Sequence, residues 1–359
     1  MNALEHELSY PFGDTLPETG TAMELTPGVR WVRMTLPFAL DHINLWLLRD
    51  EIDGQPGWTI VDCGISNDDT RAAWEQVFAT QLQGLPVLRV IVTHLHPDHI
   101  GLAHWLCERW TTPQHECRLW ISGTDYNGAR MASNPATTST VITPAFAASH
   151  GITDTEALHK IQTRAGHYAS MVPKVPERFR RLIDGDVIPI GAGNNKAGWR
   201  CHVGYGHAPE HMSLHCADLG VLISGDMVLP RISTNVGVHE NEPEGDPLKR
   251  YLDSIERMRA LPADSLVLPS HGKPFRGLHT RIDQLKSHHD ERFAEVLQAC
   301  AEAPQSAADL LMVLFKRKLD LHQTTFAMGE SIAHLNALWH TGKLVRKVGS
   351  DGVHRFTRA

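Results

Sequence analysis

Between residues 29 and 61 apolar and polar side chains alternate with a period of two, in Val29 to Met34, Ile43 to Leu48 and Trp58 to Val61. This predicts successive strands, separated by turn signals at Thr26-Pro-Gly28 and Asp53-Gly-Gln-Pro-Gly57. The period then changes. Trp74, Val77, Phe78 and Leu82 recur at helical spacing and predict a helix over 67–82. Val90 to Val92 is a short β-branched run of the kind that forms a buried strand, and Ile100, Leu102, Trp105 and Leu106 behind it predict a helix. Residues 123–182 read as mostly helical and irregular. Strand patterns return with a hairpin opened by Asp184-Gly-Asp186, a strand Trp199 to Val203, and a hairpin of Leu214 to Asp218 with Val221 to Ser224. A helix over 247–261 carries Leu248, Tyr251, Leu252, Ile255 and Met258 on one face, and a short strand starts at Leu266. The remainder predicts a connecting helix over 276–302, helices Ala307 to Phe315 and Phe326 to His340, and two strands between Lys343 and Phe356 turning at Gly349-Ser-Asp-Gly352.

The strand Val90 to Val92 runs directly into Thr93-His94-Leu95-His96-Pro97-Asp98-His99. Three imidazoles and a carboxylate crowded at the mouth of a buried strand are costly unless a cation compensates them. Imidazole nitrogen and carboxylate oxygen are the donors that zinc and similar divalent ions take. In an extended segment His94 and His96 point the same way and can share one ion. Asp98 and His99 follow the turn at Pro97 and would face a second ion beside it.

The pattern His-x-His-x-Asp-His after a hydrophobic strand resembles the signature of the metallo-β-lactamase superfamily. The resemblance implies an α/β fold, an αββα sandwich with a one- or two-metal site at its edge, and further ligands downstream. Val61-Asp62-Cys63-Gly64 matches the superfamily's Val-Asp-x-Gly motif. There the aspartate hydrogen-bonds a ligating histidine and fixes its tautomer, which is the role expected of Asp62; Cys63 reads as a buried thiol. Gly204-Tyr-Gly-His207-Ala-Pro-Glu-His211 resembles the Gly-His-Thr-Pro-Gly-His element, with Ala208 and Glu210 as departures. His207 matches the third ligand of the first metal, whereas His211 matches a residue that stands behind the ligands or faces substrate. Ser224-Gly225-Asp226 matches the segment with the bridging aspartate, and Leu266-Val-Leu-Pro-Ser-His271 ends in the last ligand. The implied set is His94, His96 and His207 on one ion, Asp98, His99 and His271 on the other, and Asp226 between them. The resemblance covers about residues 25–275. It divides the chain into a catalytic domain over 1–275 with a helical insertion about 123–182, a connecting helix over 276–302, and a small winged-helix-like domain over 303–359.

At 359 residues, 42% apolar and 21% charged, the composition is that of an ordinary globular chain with room for one large and one smaller domain. A net charge of −7 gives no general attraction to nucleic acid or anionic membrane. No apolar run approaches ~18 residues, so no transmembrane helix is expected. The acidic start, Met1-Asn-Ala-Leu-Glu-His-Glu-Leu8, lacks the basic-then-apolar order of a signal peptide. The six cysteines include no Cys-x-x-Cys pair and suit free thiols in the cytoplasm, the expected location.

The resemblance implies a hydrolase with two divalent metal ions. Zinc is the expected ion, and iron and manganese suit the same donors. Two ions about 3.5–4 Å apart hold a bridging water and lower its pKa toward neutrality, supplying hydroxide to an electrophilic substrate; Asp98 would orient that nucleophile. The expected substrate is a small thioester, ester or lactone. Tyr126, Arg164, His167 and Tyr168 of the insertion are candidate substrate contacts, and Arg231 a candidate partner for a substrate carboxylate. The alternative is an endonuclease acting on RNA or single-stranded nucleic acid, motivated by the tail. Against it, the would-be recognition helix over 325–340 carries no Lys or Arg, only Glu330 with His334 and His340, although the wing has Lys343, Arg346, Lys347, Arg355 and Arg358. A tail packed on its own catalytic domain or on another subunit fits better. A flavodiiron-like oxidoreductase is disfavoured because relatives of that kind usually have Glu at the position of His96.

Overall fold

A computed structural model describes residues 3–134, 142–163, 166–193, 196–317, 319 and 321–359. Sheet one has the order β1 (Ala22–Thr26), β2 (Val29–Thr35), β3 (His42–Ile52), β4 (Gln55–Val61), β5 (Val87–Ile91), β6 (Arg118–Ser122) and β7 (Phe179–Leu182). It is antiparallel up to β4 and parallel from there on. Sheet two contains β8 (Val187–Ile190), β9 (Ala197–Gly204), β10 (His211–Cys216), β11 (Val221–Gly225) and β12 (Leu266–Pro269), with β12 and β8 at its edges. A separate hairpin pairs β13 (Leu344–Val348) with β14 (His354–Arg358).

The helices are α1 (Asp68–Thr80), α2 (Pro97–Ile100), α3 (Ala103–Trp110), α4 (Gly123–Ala132), α5 (Pro144–Ser149), α6 (Thr155–Gln162), α7 (His167–Met171), α8 (Pro247–Arg257), α9 (Leu278–Glu302), α10 (Leu311–Leu314) and α11 (Leu321–His340). The helix expected after residue 100 is two short ones, α2 and α3. The expected helix 307–315 is regular only over the single turn of α10. The stretch 123–182 is not helical throughout: it closes with β7, whose Phe-Arg-Arg-Leu sequence exposes two arginines at the sheet edge and so lacks an apolar alternation.

The period-two alternation places the core. On β3, Ile43, Leu45 and Leu47 point outward to Trp74, Val77 and Phe78 of α1 and Leu106 of α3. Trp46 and Leu48 of the same strand point inward, with Trp31, Val61 and Ile91, to meet Trp199, Met212, Leu214 and Ile223 of sheet two. The far side of sheet two, through Leu222 and Val267, packs on Leu248, Tyr251 and Ile255 of α8 and Ile282 and Leu285 of α9. This is an αββα sandwich. Met328, Ile332 and Leu335 of α11, with Leu344 and Phe356 of the hairpin, extend that third apolar cluster without a break. The C-terminal elements therefore share a core with α8 and α9.

The two sheets are tied at one end by Asn44, which is fully buried on β3. Its amide nitrogen donates to the carbonyls of Pro269 (2.7 Å) and Gly272 (2.9 Å), its oxygen accepts from Trp31 Nε1 (2.9 Å), and its backbone N–H donates to Ser270 (2.7 Å). Pro269, Ser270 and Gly272 flank His271. Asn44→Ala leaves one buried donor and two buried acceptors unpaired, at a cost of about 2–4 kcal/mol. Urea unfolding should show a lower midpoint at unchanged slope; a loss under about 0.5 kcal/mol would mean that Asn44 is not the tie between the sheets.

Candidate metal centre

The candidate residues all lie where strands end. β5 delivers Thr93 to His99, with Pro97 at the first position of α2. The segment after β9 delivers His207, β10 begins at His211, β11 ends just before Asp226, and β12 just before His271. Backbone fit explains two glycines. Gly206 has φ +101°, and a Cβ there would come within 2.3 Å of the Pro247 carbonyl oxygen on α8. Gly225 has φ +54°, and a Cβ there would come within 2.3 Å of His211 Nε2.

Seven side chains converge in two groups: His94, His96, His207 and Asp226 in one, Asp98, His99 and His271 in the other, with donor atoms within 4.8 Å of one another in each. His94 Nε2 lies 2.9 Å from His96 Nδ1 and 3.2 Å from His207 Nε2. In the second group His271 Nε2 is 3.4 Å, and His99 Nε2 3.7 Å, from Asp98 Oδ2. Asp226 faces both groups: its Oδ2 is 3.3 Å from His207 Nε2, and its Oδ1 is 3.5 and 3.6 Å from His271 and His99 Nε2.

The ring nitrogens that face away are held. His99 Nδ1 donates to Asp62 Oδ2 (2.8 Å), His207 Nδ1 to the Asn235 carbonyl (2.7 Å) and His271 Nδ1 to the His42 carbonyl (2.7 Å). Each of these bonds takes up Nδ1 and turns Nε2 into the pocket, the arrangement that metal-binding histidines have. Asp62 also accepts from the Thr93 backbone N–H (2.8 Å) and hydroxyl, and takes a left-handed backbone at φ +61°. His211 is fully buried, and its Nε2 accepts the Asp226 backbone N–H (3.1 Å), so it stands behind Asp226. Cys63 is fully buried and lies outside both groups.

The electrostatics suit cations. Burial, with neighbouring imidazoles, pushes the His94 imidazole well below its ordinary value and His96 down to about 3, leaving neutral rings with lone pairs crowded together. In the second group burial opposes charge on His99 and His271, but Asp62, Asp98 and Asp226 outweigh it, raising His99 well above the usual range and His271 to about 10. Burial would raise Asp98, yet His99 and His271 hold it down at about 2. His99 Nε2 and Asp226 Oδ1 are buried and make no hydrogen bond among the described residues. Converging nitrogen and carboxylate donors with orphaned buried atoms between them fit divalent metal ions.

One residue missed in the sequence, Asp125, and one expected there as a substrate contact, Tyr168, brace the loops that carry the candidate ligands. Asp125, fully buried in the first turn of α4, accepts from the backbone N–H of Leu95 (2.9 Å) and of Glu210 (2.7 Å). It thereby joins the His94–His96 loop to the His207–His211 loop. Burial, only partly offset by these bonds, pushes its carboxyl up to about 6. The Tyr168 hydroxyl donates to the Leu95 carbonyl (2.5 Å), so both peptide groups of the residue between His94 and His96 are pinned. Ser122-x-x-Asp125 is a capping-box spacing, and the Ser122 hydroxyl accepts from the Asp125 N–H; the pattern marks a helix start but not its second use. Glu210, the departure from glycine, accepts from the Thr124 N–H and caps α4 (3.1 Å). Tyr126 is a packing residue, bonded to the Pro176 and Glu177 carbonyls and stacked on Phe179. Arg231 pairs with Glu5 at 3.1 Å, and Arg164 lies outside the described residues.

Asp62→Asn keeps the shape and tolerates the left-handed backbone, but it removes the charge behind His99. Metal affinity measured by chelator competition should fall about 10–100-fold with the fold intact by circular dichroism. A change under about twofold would show that Asp62 does not tune the ligand.

Residues 40–271 match the model of the metallo-beta-lactamase superfamily, and residues 293–359 that of the metallo-beta-lactamase-like C-terminal domain. A crystal structure of a beta-lactamase domain protein from Burkholderia ambifaria is 57% identical over 100% of both chains, with a TM-score of 0.93. A metallo-beta-lactamase family protein from Thermus thermophilus is 27% identical over 94% of this chain and 100% of its own, with a TM-score of 0.75. Among curated proteins, one named "Probable metallo-hydrolase YqjP" from Bacillus subtilis is 23% identical over 87% of this chain and 92% of its own. A "Linear primary-alkylsulfatase" of a Pseudomonas strain is 25% identical over 63% of this chain and 41% of its own. With that sandwich and that cluster of histidine and aspartate, the chain belongs to the metallo-beta-lactamase superfamily and is a hydrolase of that superfamily with a C-terminal metallo-beta-lactamase-like domain.

Proposed function

We propose that the chain is a dinuclear metal-dependent hydrolase of a small thioester, ester or lactone. One observation carries the dinuclear part: the two oxygens of Asp226 face different donor groups, Oδ2 toward His207 and Oδ1 toward His99 and His271. His94, His96 and His207 would hold one ion, Asp98, His99 and His271 the other, and Asp226 would touch both. Zinc suits this mixed set of imidazole and carboxylate donors, as do iron and manganese. When bound, the pair supplies Lewis acidity and makes water nucleophilic near neutral pH.

The protein's own groups do the positioning. Asp98 is the more open carboxylate, at 19% side-chain exposure against 9% for Asp226, and it is held ionised. It is placed to accept a hydrogen bond from an attacking water and orient it. Thr93 links Asp62 to His94, whose Nδ1 lies 3.0 Å from the Thr93 hydroxyl, so the ligand rings cannot swing independently.

A small substrate is favoured over nucleic acid by the packing of α11. Met328, Ser331, Ile332, His334, Leu335 and Asn336 are all buried within the chain, so the stretch of this helix from Ala327 to Leu338 has no free face to enter a groove. In the hairpin, Arg346 pairs with Glu244 and Arg355 with Asp351, which compensates two of its five basic side chains. Six buried thiols suit the reducing cytoplasm as its location, and among the described residues no helix is long and apolar enough to cross a membrane.

Elemental analysis of the purified protein should give two ions per chain. Thioesters, lactones, alkyl sulfates, phosphodiesters and short RNAs form the substrate panel, alkyl sulfates because of the alkylsulfatase relative. Thioester or lactone turnover should fall about a hundredfold or more on chelation and in His96→Ala, and return with metal only in the wild type. Cleavage of RNA alone, or a wild type that holds a single ion at full activity, would overturn this reading.

A further inference from the structure

The loop from Asp226 to Asp246 touches the candidate metal centre twice. The Thr234 hydroxyl donates to the Asp226 carbonyl at 2.5 Å, and the Asn235 carbonyl accepts the His207 Nδ1–H at 2.7 Å. Between Ile232 and Glu240 this loop belongs to no helix or strand, so its position must be imposed from outside.

What imposes it is α11. The Val238 N–H donates to the Gly329 carbonyl at 3.0 Å. Gly237 and Gly329 pack backbone to backbone: a Cβ on Gly329 would lie 3.3 Å from Gly237 Cα and from the Val238 carbonyl oxygen. Val236, Val238, Met328 and Ile332 share one apolar cluster. Further along, Asn336 donates to the carbonyls of Pro243 and Gly245, both at 3.0 Å. Where the loop meets the metal centre the contact turns polar: Asn235 Nδ2 donates to Glu330 Oε2 at 3.4 Å. Burial pushes the Glu330 carboxyl up to about 7, as befits a group deep against the loop.

We infer that Glu330 of α11 is a positioning residue for the His207 side of the metal centre, acting through Asn235. A side chain that anchors Asn235 holds its carbonyl on His207 Nδ1 and so fixes the tautomer that turns Nε2 toward Asp226 and His94. The C-terminal segment is then part of the hydrolytic site. This rests on the reading of His207 as a ligand. An acceptor two bonds removed from a ligand acts at the low end of the range for such supports, about tenfold in affinity.

Glu330→Ala removes the acceptor, whereas Glu330→Gln keeps an oxygen for Asn235. The readouts are zinc affinity by chelator competition, the protonation of His207 in metal-free protein by long-range 1H–15N correlation, and thermal unfolding of the metal-free chain. Glu330→Ala should weaken one of the two zinc ions about tenfold and shift His207 from Nδ1–H to a tautomer mixture, with Glu330→Gln within about twofold of wild type. Asn235→Ala should match Glu330→Ala, and the double variant should add nothing. Unchanged affinity and tautomer in Glu330→Ala would overturn the inference. Equal losses in Ala and Gln variants with a matching fall in unfolding temperature would also overturn it, because Glu330 would then only pack. Should wild type take up no zinc, the proposed function fails first, and the His207 tautomer in the metal-free variants still decides this point.

Discussion

Everything in this structure answers to one constraint: imidazole lone pairs and carboxylates have been taken out of water and pointed at each other. Such a group is unstable by itself, since neutral rings repel across 3 Å and an unpaired buried carboxylate costs several kcal/mol. It persists because three of the seven donors are gripped from behind. Asp62 backs His99, the His42 carbonyl backs His271, and the Asn235 carbonyl backs His207. These bonds settle which nitrogen carries the proton, and so which atom is offered to an ion. A divalent cation would relieve the repulsion, whereas a surface ion pair such as Lys249 with Asp253 contributes little.

The donors come from both sheets, so the sandwich must hold its halves in register to better than the tolerance of a coordination sphere. Apolar packing of Trp31, Trp46 and Trp199 between the sheets sets their spacing but is indifferent to small slides. Direction comes from the polar ties. Asn44 joins β3 to the turn bearing His271, and Asp125 joins the His94–His96 loop to the loop of His207 and His211. Both are buried and saturated with backbone partners, so displacement would strand N–H or C=O groups in a dry interior. The sheet core gives the cohesion, and these few polar side chains give the alignment.

The candidate ligands stand out in the amino-acid sequence because metal chemistry restricts residue type and the strand ends restrict place. His94-x-His96-x-Asp98-His99 compresses four donors into one turn, and His207, Asp226 and His271 follow at the ends of apolar runs. What holds them is far less visible. Two of the three bonds on the far nitrogens go to main-chain carbonyls, of His42 and Asn235, and a carbonyl has no residue type to recognise. Asp125 and Asn44 are ordinary letters until the fold brings distant segments against them. β7 escaped notice for a different reason: an edge strand with arginines facing out shows no alternation.

Glu210 shows how a departure from a motif can be absorbed. Glycine at that position would leave the turn free and would offer α4 nothing. Glu210 instead sends its carboxylate to the Thr124 N–H at the start of α4, while its own N–H is taken by Asp125 in the same turn of that helix. The exchange caps a helix and anchors the His207 loop in one step, so the added side chain stiffens what the lost glycine would have left loose. α11 follows the same logic on a larger scale. A helix with no Lys or Arg over 325–340 makes a poor groove reader, but its small, apolar and amide side chains are what a helix needs to lie against an irregular loop and satisfy its backbone. Its composition is explained by the surface that it covers, and that surface ends at His207.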